Sequence, residues 1–576
     1  MRTLLDPVTT EVIGSLVMAV AEEMGATLIK TAYSPNIKER ADCSTAIFDA
    51  TGQVIAQAPR IPIHLGSMLG TVEEIVKRHP LDSLRPGDVI IANDPYNGGG
   101  SHLPDINFIS PVFDGDTLYA FVANLAHHSD VGGMVAGSES ADCRNIYQEG
   151  IRIPPVKLVR AGVLDEDILN LMLLNTRTPR DRLGDFRAQL AANRVGVRGL
   201  EEVCAKHGRE TLLAHMAELL DYAERRIRSA IAALPDGTYT CEDVLDSDGV
   251  EDRPVRVRVA LTIRADHLDF DFAGTDPQVG SARNVPLNAL AATIYCVVKC
   301  LLDPGLPSNA GYFRAMTIRA PEGSLVNPRP PAAVGVRALS CAIVGDCVAG
   351  ALSQAMPARA LAFCGPHQQI LPSGTDPRSG DFFVDYETFA GSYGARPYKD
   401  GLDAVRIHAS GASNLPVECL EHSFPLRVER YELRQDSGGA GTFRGGLSVR
   451  RAYRILADEA TIALSGERQK RAAAGLDGGL PGALGAYVLN PGALDEKVLP
   501  STIAHYPLRR GDLFVVVTPG GGGWGDPRAR SLDLLERDVR EERISRTAAA
   551  RDYGAVFGPD GRLDRAATAA ARQRAG

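Results

Sequence analysis

The sequence predicts an α+β fold: mixed sheets, a helical segment and a C-terminal β-rich region. Three observations lead there. Strand-like alternation recurs in both halves of the chain, long apolar-periodic segments interrupt it, and no fixed repeat or regular strand–helix alternation organises the 576 residues. Hydrophobic residues make up 44% of the chain and charged residues 23%, which supports a large core and excludes a disordered or fibrous chain. At ~150 residues per domain the length predicts about three or four domains. The pattern divides into an N-terminal α/β region (1–163), a helical segment (164–235), a central α+β region (236–404), a β-rich region (405–530) and a closing helix with a polar tail (531–576).

Taken in order, the first element is a helix. Asp6 is its N-cap, Pro7 suits the first helical position, and the Ser34-Pro35 step ends it. Val8, Val12, Leu16, Val20, Met24 and Leu28 recur every four residues and predict one buried stripe. Strands follow at Cys43–Phe48 and Val54–Ala58 around Asp49-Ala50-Thr51-Gly52, and at Asp88–Ala92. Ile106–Phe113 and Leu118–Ala126 bracket Asp114-Gly115-Asp116, a second hairpin. From about Asp165 to Leu234 the period becomes helical, with two or three long helices. Alternation at Val255, Val257, Val259 and Leu261 marks a strand, and Leu287–Leu302 and Cys341–Gln354 are apolar enough for buried helices. Residues 405–517 are mostly strand-like, and a charged helix covers roughly Leu532–Thr547.

Composition narrows the function classes. The formal charge of −9 leaves no broad basic surface for nucleic acid, and Arg177, Arg180 and Arg182 among Asp181 and Asp185 read as a solvated face. No run approaches the ~18 consecutive apolar residues of a membrane span. Leu4-Leu5 followed by Asp6-Pro7 is no signal peptide. Ten cysteines without a C-x-x-C indicate neither a zinc ribbon nor a disulfide framework; Cys296 and Cys300 read as helix packing, and a reducing cytoplasm is expected.

The residues that carry chemistry gather in the N-terminal region. His102 and Asp105 stand three apart, His127, His128 and Asp130 close the second hairpin, and Asp42 begins the first. Imidazole and carboxylate suit a divalent first-row metal. The hairpin returns on itself, so Asp105 and His127 should meet. Two histidines and one or two aspartates, with room for water, form a catalytic pattern more than a closed structural one. Satisfied loop histidines are the bland alternative. There is no H-E-x-x-H, no G-x-S-x-G and no G-x-x-x-x-G-K-[ST]. Gly520-Gly521-Gly522-Gly523-Trp524-Gly525 matches G-x-G-x-x-G, but Asp526-Pro527 and the short remaining chain leave no βαβ unit, so turn or loop packing is expected. ATP-driven chemistry would therefore need another chain to bind the nucleotide.

An ordered set of motifs resembles the hydantoinase B/oxoprolinase family over nearly the whole chain. It comprises Asn93-Asp94-Pro95-Tyr96 with Gly98-Gly99, His102-x-x-Asp105, and His127-His128-x-Asp130-x-Gly132-Gly133. Gln148-Glu149-Gly150-Ile151, Phe272-Ala273-Gly274-Thr275 with Asn284, Gly438–Gly446 and Pro519–Pro527 continue it. The resemblance implies the hydantoinase B-type component of an ATP-dependent cyclic amide hydrolase acting on a hydantoin, lactam or 5-oxoproline-like ring. Its partner would be a hydantoinase A-type ATPase, in an A2B2 heterotetramer, that binds ATP and magnesium and phosphorylates the amide oxygen. Matched residue by residue, the family's metal ligands fall on Asp42, His102, Asp105 and His127 and imply one divalent metal, zinc first, with manganese and iron as alternatives. His128, Asp130 and Glu149 are then the candidates to orient water or shuttle its proton. Ketone carboxylation is the competing expectation. The carboxylase relatives use larger subunits and an extra chain, and no added module is evident here. A non-catalytic partner of the ATPase would leave the His/Asp group without a purpose.

Overall fold

Among the described residues, sequence patterning becomes four sheets and their covering helices. The computed structural model describes residues 5–68 and 70–575. Helix α1 (Pro7–Thr31) starts where Asp6 accepts from the backbone N–H groups of Val8 and Thr9. A short helix α2 (Pro35–Lys38) leads to β1 (Cys43–Asp49) and β2 (Val54–Gln57). Helices α3 (Pro62–Ser67) and α4 (Thr71–Arg78) precede β3 (Val89–Ala92), the long hairpin β4 (Asp105–Asp114) and β5 (Thr117–His127), then β6 (Val156–Arg160) and β7 (Val163–Leu164). These strands form one antiparallel sheet in the order β2-β1-β5-β4-β3-β6-β7.

Strand residues alternate between faces, so the sheet buries two apolar layers. Ile47, Ile55, Val112 and Val122 pack with Ile13, Val17, Val20 and Met24 of α1. Phe48, Val54, Ile90, Ile109 and Phe121 pack with Val72 and Ile75 of α4 on the other face. After α5 (Glu166–Leu174), the long helices α6 (Pro179–His207) and α7 (Arg209–Ala232) close over α1 and β4–β5.

The second sheet, β11-β10-β9-β8, is built from β8 (Gly237–Leu245), β9 (Val255–Arg264), β10 (His267–Asp271) and, after the buried helix α8 (Leu287–Leu302), the parallel strand β11 (Met316–Arg319). Its apolar face, Val255 through Ile263 at every second position, packs on α9 (Arg337–Ala355) in the largest core. Two further sheets pack face to face around Phe389, Tyr453, Ile462, Tyr487 and Phe514. One holds β12 (Gln368–Thr375), β13 (Phe382–Val384), β14 (Glu387–Phe389), β17 (Glu459–Ser465) and β20 (Thr502–Arg509). The other, beyond α10 (Val417–Ser423), holds β15 (Leu426–Leu433), β16 (Val449–Ile455), β18 (Ala486–Leu489), β19 (Lys497–Leu499) and β21 (Leu513–Val517). Helices α11 (Leu532–Arg540), α12 (Arg546–Tyr553) and α13 (Arg565–Ala575) finish the chain. The α+β expectation is met.

Several local expectations change. The stripe on α1 is not every fourth residue: Val8 is 70% exposed and Val12 45%, while Ile13, Val17, Val20, Ala21, Met24 and Leu28 are buried. With ~3.6 residues per turn, a spacing of four drifts around the helix, and alternating steps of three and four hold one face. The expected C-terminal helix is two helices broken at Glu541–Ser545, where Ser545 caps the second, and the polar tail is itself helical. Arg182 is not solvated; it is buried and paired with Asp185 at 2.9 Å because its face of α6 turns toward the loop after β5. Cys300 is exposed rather than packed. Helices α1 and α9 are long and apolar enough on average to cross a membrane, which a count of consecutive apolar residues does not register; α9 is packed inside the largest core.

Candidate metal centre

Register brings His102, Asp105 and His127 together; Asp42 lies beside them, outside that group, with its carboxylate 3.6 Å from His64 Nε2. Asp105 opens β4 and His127 closes β5, and the two are paired partners. Strand β1 lies on the other side of β5, pairing Cys43 with Ala126, so Asp42 reaches the same end; the His127 backbone N–H donates to the Asp42 carbonyl at 3.0 Å. His102 arrives on the tight turn before β4, where the Asp105 N–H donates to its carbonyl at 3.1 Å. Three strand ends and one turn thus build a buried cluster. One ligand atom each from His102, Asp105 and His127 lies within 4.8 Å of the others.

Surrounding groups decide which atoms face inward. His102 Nδ1 lies 3.1 Å from the Gly335 carbonyl, which takes its proton, leaving the Nε2 lone pair aimed at the cluster. Asp105 Oδ2 accepts from Ser101 Oγ at 3.0 Å and from Arg337 Nη2 at 3.1 Å. His102 Nε2 and Asp105 Oδ1 are fully buried, lie 3.3 Å apart and have no hydrogen-bond partner among the described residues. Unpaired buried polar atoms are costly, so a nitrogen and a carboxylate oxygen left facing each other fit a cation between them.

His127 is held differently. Arg40 donates to Asn36 Oδ1, which turns the Asn36 amide nitrogen toward the His127 carbonyl at 2.8 Å and its Nδ1 at 3.1 Å. Its Nε2 meets Glu139 Oε1 at 3.1 Å. Of the two imidazoles, His102 therefore offers an unpaired nitrogen, whereas His127 exchanges a hydrogen bond to take a cation.

Electrostatics agree with the donor chemistry. Burial pushes the Asp105 carboxyl up, but His102, His64 and Arg337 outweigh it and hold it well below the ordinary range. Burial likewise opposes ionisation of Glu139, yet His102 and His127 hold it low. Burial and Arg337 push His102 down, but Asp105 and Glu139 prevail and raise it to about 9. The pocket of carboxylates demands positive charge, which a proton on His102 or a divalent cation supplies.

The three expected proton-handling residues lie around this centre in different settings. His128 turns the other way, with Nε2 3.0 Å from Gln189 Oε1 and its ring against Phe186; burial first, then Arg182, holds it neutral. Asp130 accepts from the N–H groups of Gly132, Gly137 and Arg177 and pairs with the Arg177 guanidinium at 2.9 Å, which fixes the loop. Glu149 Oε1 accepts from Val334 and Gly335, the segment that holds His102, while its Oε2 is buried with no partner among the described residues; burial raises it to about 8.

Other groups at the centre were not foreseen from the sequence. His64 of α3 places Nε2 3.6 Å from Asp42 Oδ1 and 3.5 Å from Asp105 Oδ1. Glu139 gathers His102, His127, Gln369 and the Tyr386 hydroxyl. Arg337 comes from α9, and Tyr386 from just before β14. None repeats a spacing near His102 or His127, so only long-range packing reveals them. A second donor group, Asp346, Cys364 and His408, differs: Asp346 is already paired with His408 at 2.8 Å and Arg468 at 3.0 Å, a buried ion network.

Comparison with known proteins matches this architecture. The Hydantoinase B/oxoprolinase family model covers residues 6–527. The putative B-type component of a D-/L-hydantoinase from a Pseudomonas species is 34% identical over 576 residues, spanning 97% of each chain. The crystal structure of ATP-dependent caprolactamase from Pseudomonas jessenii superposes with a TM-score of 0.89 at 31% identity, covering 99% of this chain and 100% of that one. Nucleotide-free acetone carboxylase superposes at 0.91 with 21% identity, covering 100% of this chain and 84% of the other, a likeness of fold. The chain belongs to the hydantoinase B/oxoprolinase family.

Proposed function

We propose that this chain is the metal-dependent hydrolytic component of an ATP-dependent cyclic amide hydrolase, working with a hydantoinase A-type ATPase in an A2B2 assembly. The observation that carries the reading is the buried pair His102 Nε2 and Asp105 Oδ1, without a hydrogen-bond partner among the described residues where β4 begins beside the end of β5. Family membership and the likeness to a B-type hydantoinase component and a caprolactamase support the substrate class.

Asp42, His102, Asp105 and His127 would hold one divalent cation, zinc first. When bound there, such an ion supplies Lewis acidity, polarising a carbonyl or lowering the pKa of water. The chain's own residues do the rest. Ser101 and Arg337 fix one Asp105 oxygen so that the other faces the centre. The Gly335 carbonyl fixes His102, and Glu149, bonded to the same segment, positions that carbonyl. Glu139 Oε1, kept ionised against burial by His102 and His127, accepts from His127 Nε2 and the Tyr386 hydroxyl and orients both. Glu149, raised by burial to about 8, is the carboxylate able to hold a proton. His128 and Asp130 are committed to Gln189 and to the 132–137 loop, so we assign them to holding the site's walls.

An amide resists attack because its nitrogen donates into the carbonyl. Phosphorylation of the oxygen by the partner ends that donation and leaves the carbon electrophilic. Water added there forms the new C–O bond, the ring C–N bond breaks with the nitrogen taking a proton and leaving as an amine, and a second water releases phosphate from the acyl phosphate that remains. The test is reconstitution with the partner on hydantoins, 5-oxoproline and caprolactam, following ring-opened product and ADP together. Asp105→Ala leaves the ATP site intact, so the ratio of product to ADP should fall by at least ~10²-fold. Product and ADP strictly matched in every folded metal-ligand variant would contradict the role. Bicarbonate-dependent carboxylation of a ketone would replace it with the competing activity.

A further inference from the structure

His64 sits on a six-residue helix, α3, that the family-matched ligand set leaves out. Its position is fixed from two sides. The Ile63 N–H donates to the Ala409 carbonyl at 2.8 Å, and Gly66 lies so close to α8 that a Cβ there would fall 2.2 Å from Ala292 Cβ. The imidazole is 2% exposed and points between two carboxylates.

Its hydrogen bonds set which nitrogen faces them. In the tautomer with its proton on Nδ1, His64 donates to Ser44 Oγ at 3.3 Å while Ser44 Oγ donates to the Ile61 carbonyl at 3.5 Å. The Nε2 lone pair is then directed at Asp42 Oδ1 and Asp105 Oδ1, at 3.6 and 3.5 Å. A lone pair facing two anionic oxygens is repulsive unless a cation lies among them. The separations suit donors that share one ion: bonds of ~2.0–2.2 Å put neighbouring ligand atoms ~3.0–3.6 Å apart as the coordination number runs from six down to four. The edges His64–Asp42, His64–Asp105 and His102–Asp105 measure 3.6, 3.5 and 3.3 Å. His64 is also the group that joins Asp42 to the rest, since it faces the oxygens of both aspartates.

We propose that His64 is a further ligand of the divalent cation, binding through Nε2 beside Asp42 and Asp105, with Ser44 as the partner that orients it. The inference rests on the cation-site reading above and adds a donor to it.

Cobalt(II) titration of the metal-stripped chain reads both separately. Wild-type protein is expected to bind one equivalent with visible d–d bands; failure to bind cobalt at all overturns the site itself and this ligand with it. His64→Ala is expected to weaken binding by more than the ~10–100-fold typical of losing an outer-shell partner, and to shift the band positions. Ser44→Ala, which leaves every ligand in place, is expected to lose about 10-fold. Wild-type affinity and an unchanged spectrum in His64→Ala would show that His64 is instead a protonated ion-pair partner, and the proposal would fall. X-ray absorption of the zinc-loaded wild type decides without any variant: one imidazole more than His102 and His127 supply is expected, and no more than those two overturns the assignment.

Discussion

Arg337 shows how much of the centre depends on single side chains outside the ligand set. It donates to Ser101 Oγ through Nε at 2.9 Å and to Asp105 Oδ2 through Nη2 at 3.1 Å, so it decides which aspartate oxygen remains for a cation. Arg337→Gln keeps a donor but loses the charge and the fork. We expect metal retention against a chelator to drop ~10–100-fold with the fold intact, and equal retention in the two proteins would refute this. Glu149 makes a different prediction, in pH. Its folded-state pKa is raised by burial from 4.5 to about 8, so between those values the folded state binds more protons than the unfolded chain. Its contribution to stability is therefore full below the unfolded value and is lost as pH rises through about 8. Glu149→Gln removes that titration. Denaturant unfolding of the variant relative to wild type should improve steadily from pH 5 to pH 8, and a pH-independent difference would count against it.

At the scale of elements, the corrected face of α1 is testable by a neighbouring pair. Ile13 is fully buried against the first sheet and Val12 is 45% exposed. Ile13→Ala should cost about 2–5 kcal/mol and Val12→Ala within about 0.5 kcal/mol in chemical denaturation; similar costs would restore the four-residue stripe. The sequence carried α1's cap, the hairpin turns and the two buried helices α8 and α9, because these are local signals of period and punctuation. It also carried the meeting of Asp105 with His127, since a tight turn at Asp114–Asp116 fixes the strands that follow. His64 was not legible. It stands in Pro62-Ile63-His64, a short helix whose position depends on packing against α8 some 225 residues later, and no local pattern encodes that contact. Glu139 was missed for the same reason, as its partners Gln369 and Tyr386 come from the third sheet. The break between α11 and α12 hides in a charged run where period alone sees one helix.

Across the whole molecule, the centre joins the first sheet to distant segments, and glycine-rich backbone sets that join. Extended stretches around Gly365, Gly391, Gly438–Gly446 and Gly520–Gly523 pack main chain on main chain, with Gly439 N–H donating to the Gly521 carbonyl and Gly521 N–H to that of Gly446. The glycine run near the C-terminus thus serves packing, as its failure to open a βαβ unit suggested. Gly365 and Ser392 exchange backbone hydrogen bonds at 2.9 Å, and Ser392 Oγ donates to the Pro519 carbonyl. Gln369 lies just after the first of these positions and Tyr386 just before the second, so the bundle aims both at Glu139. At Gly520 an added Cβ would lie 1.7 Å from the Ser437 carbonyl oxygen, a backbone atom that cannot swing aside. Gly520→Ala should therefore destabilise by about 3 kcal/mol or more, the upper end for overpacking. Gly280 is the control: a Cβ there meets nothing within 4 Å, and Gly280→Ala should stay within about 0.5 kcal/mol. If Gly520→Ala remains soluble, it should also hold metal less tightly although no ligand has changed, because Gln369 and Tyr386 lose their registration on Glu139. Melting and metal retention indistinguishable from those of Gly280→Ala would show that the glycine packing neither stabilises the fold nor positions the centre.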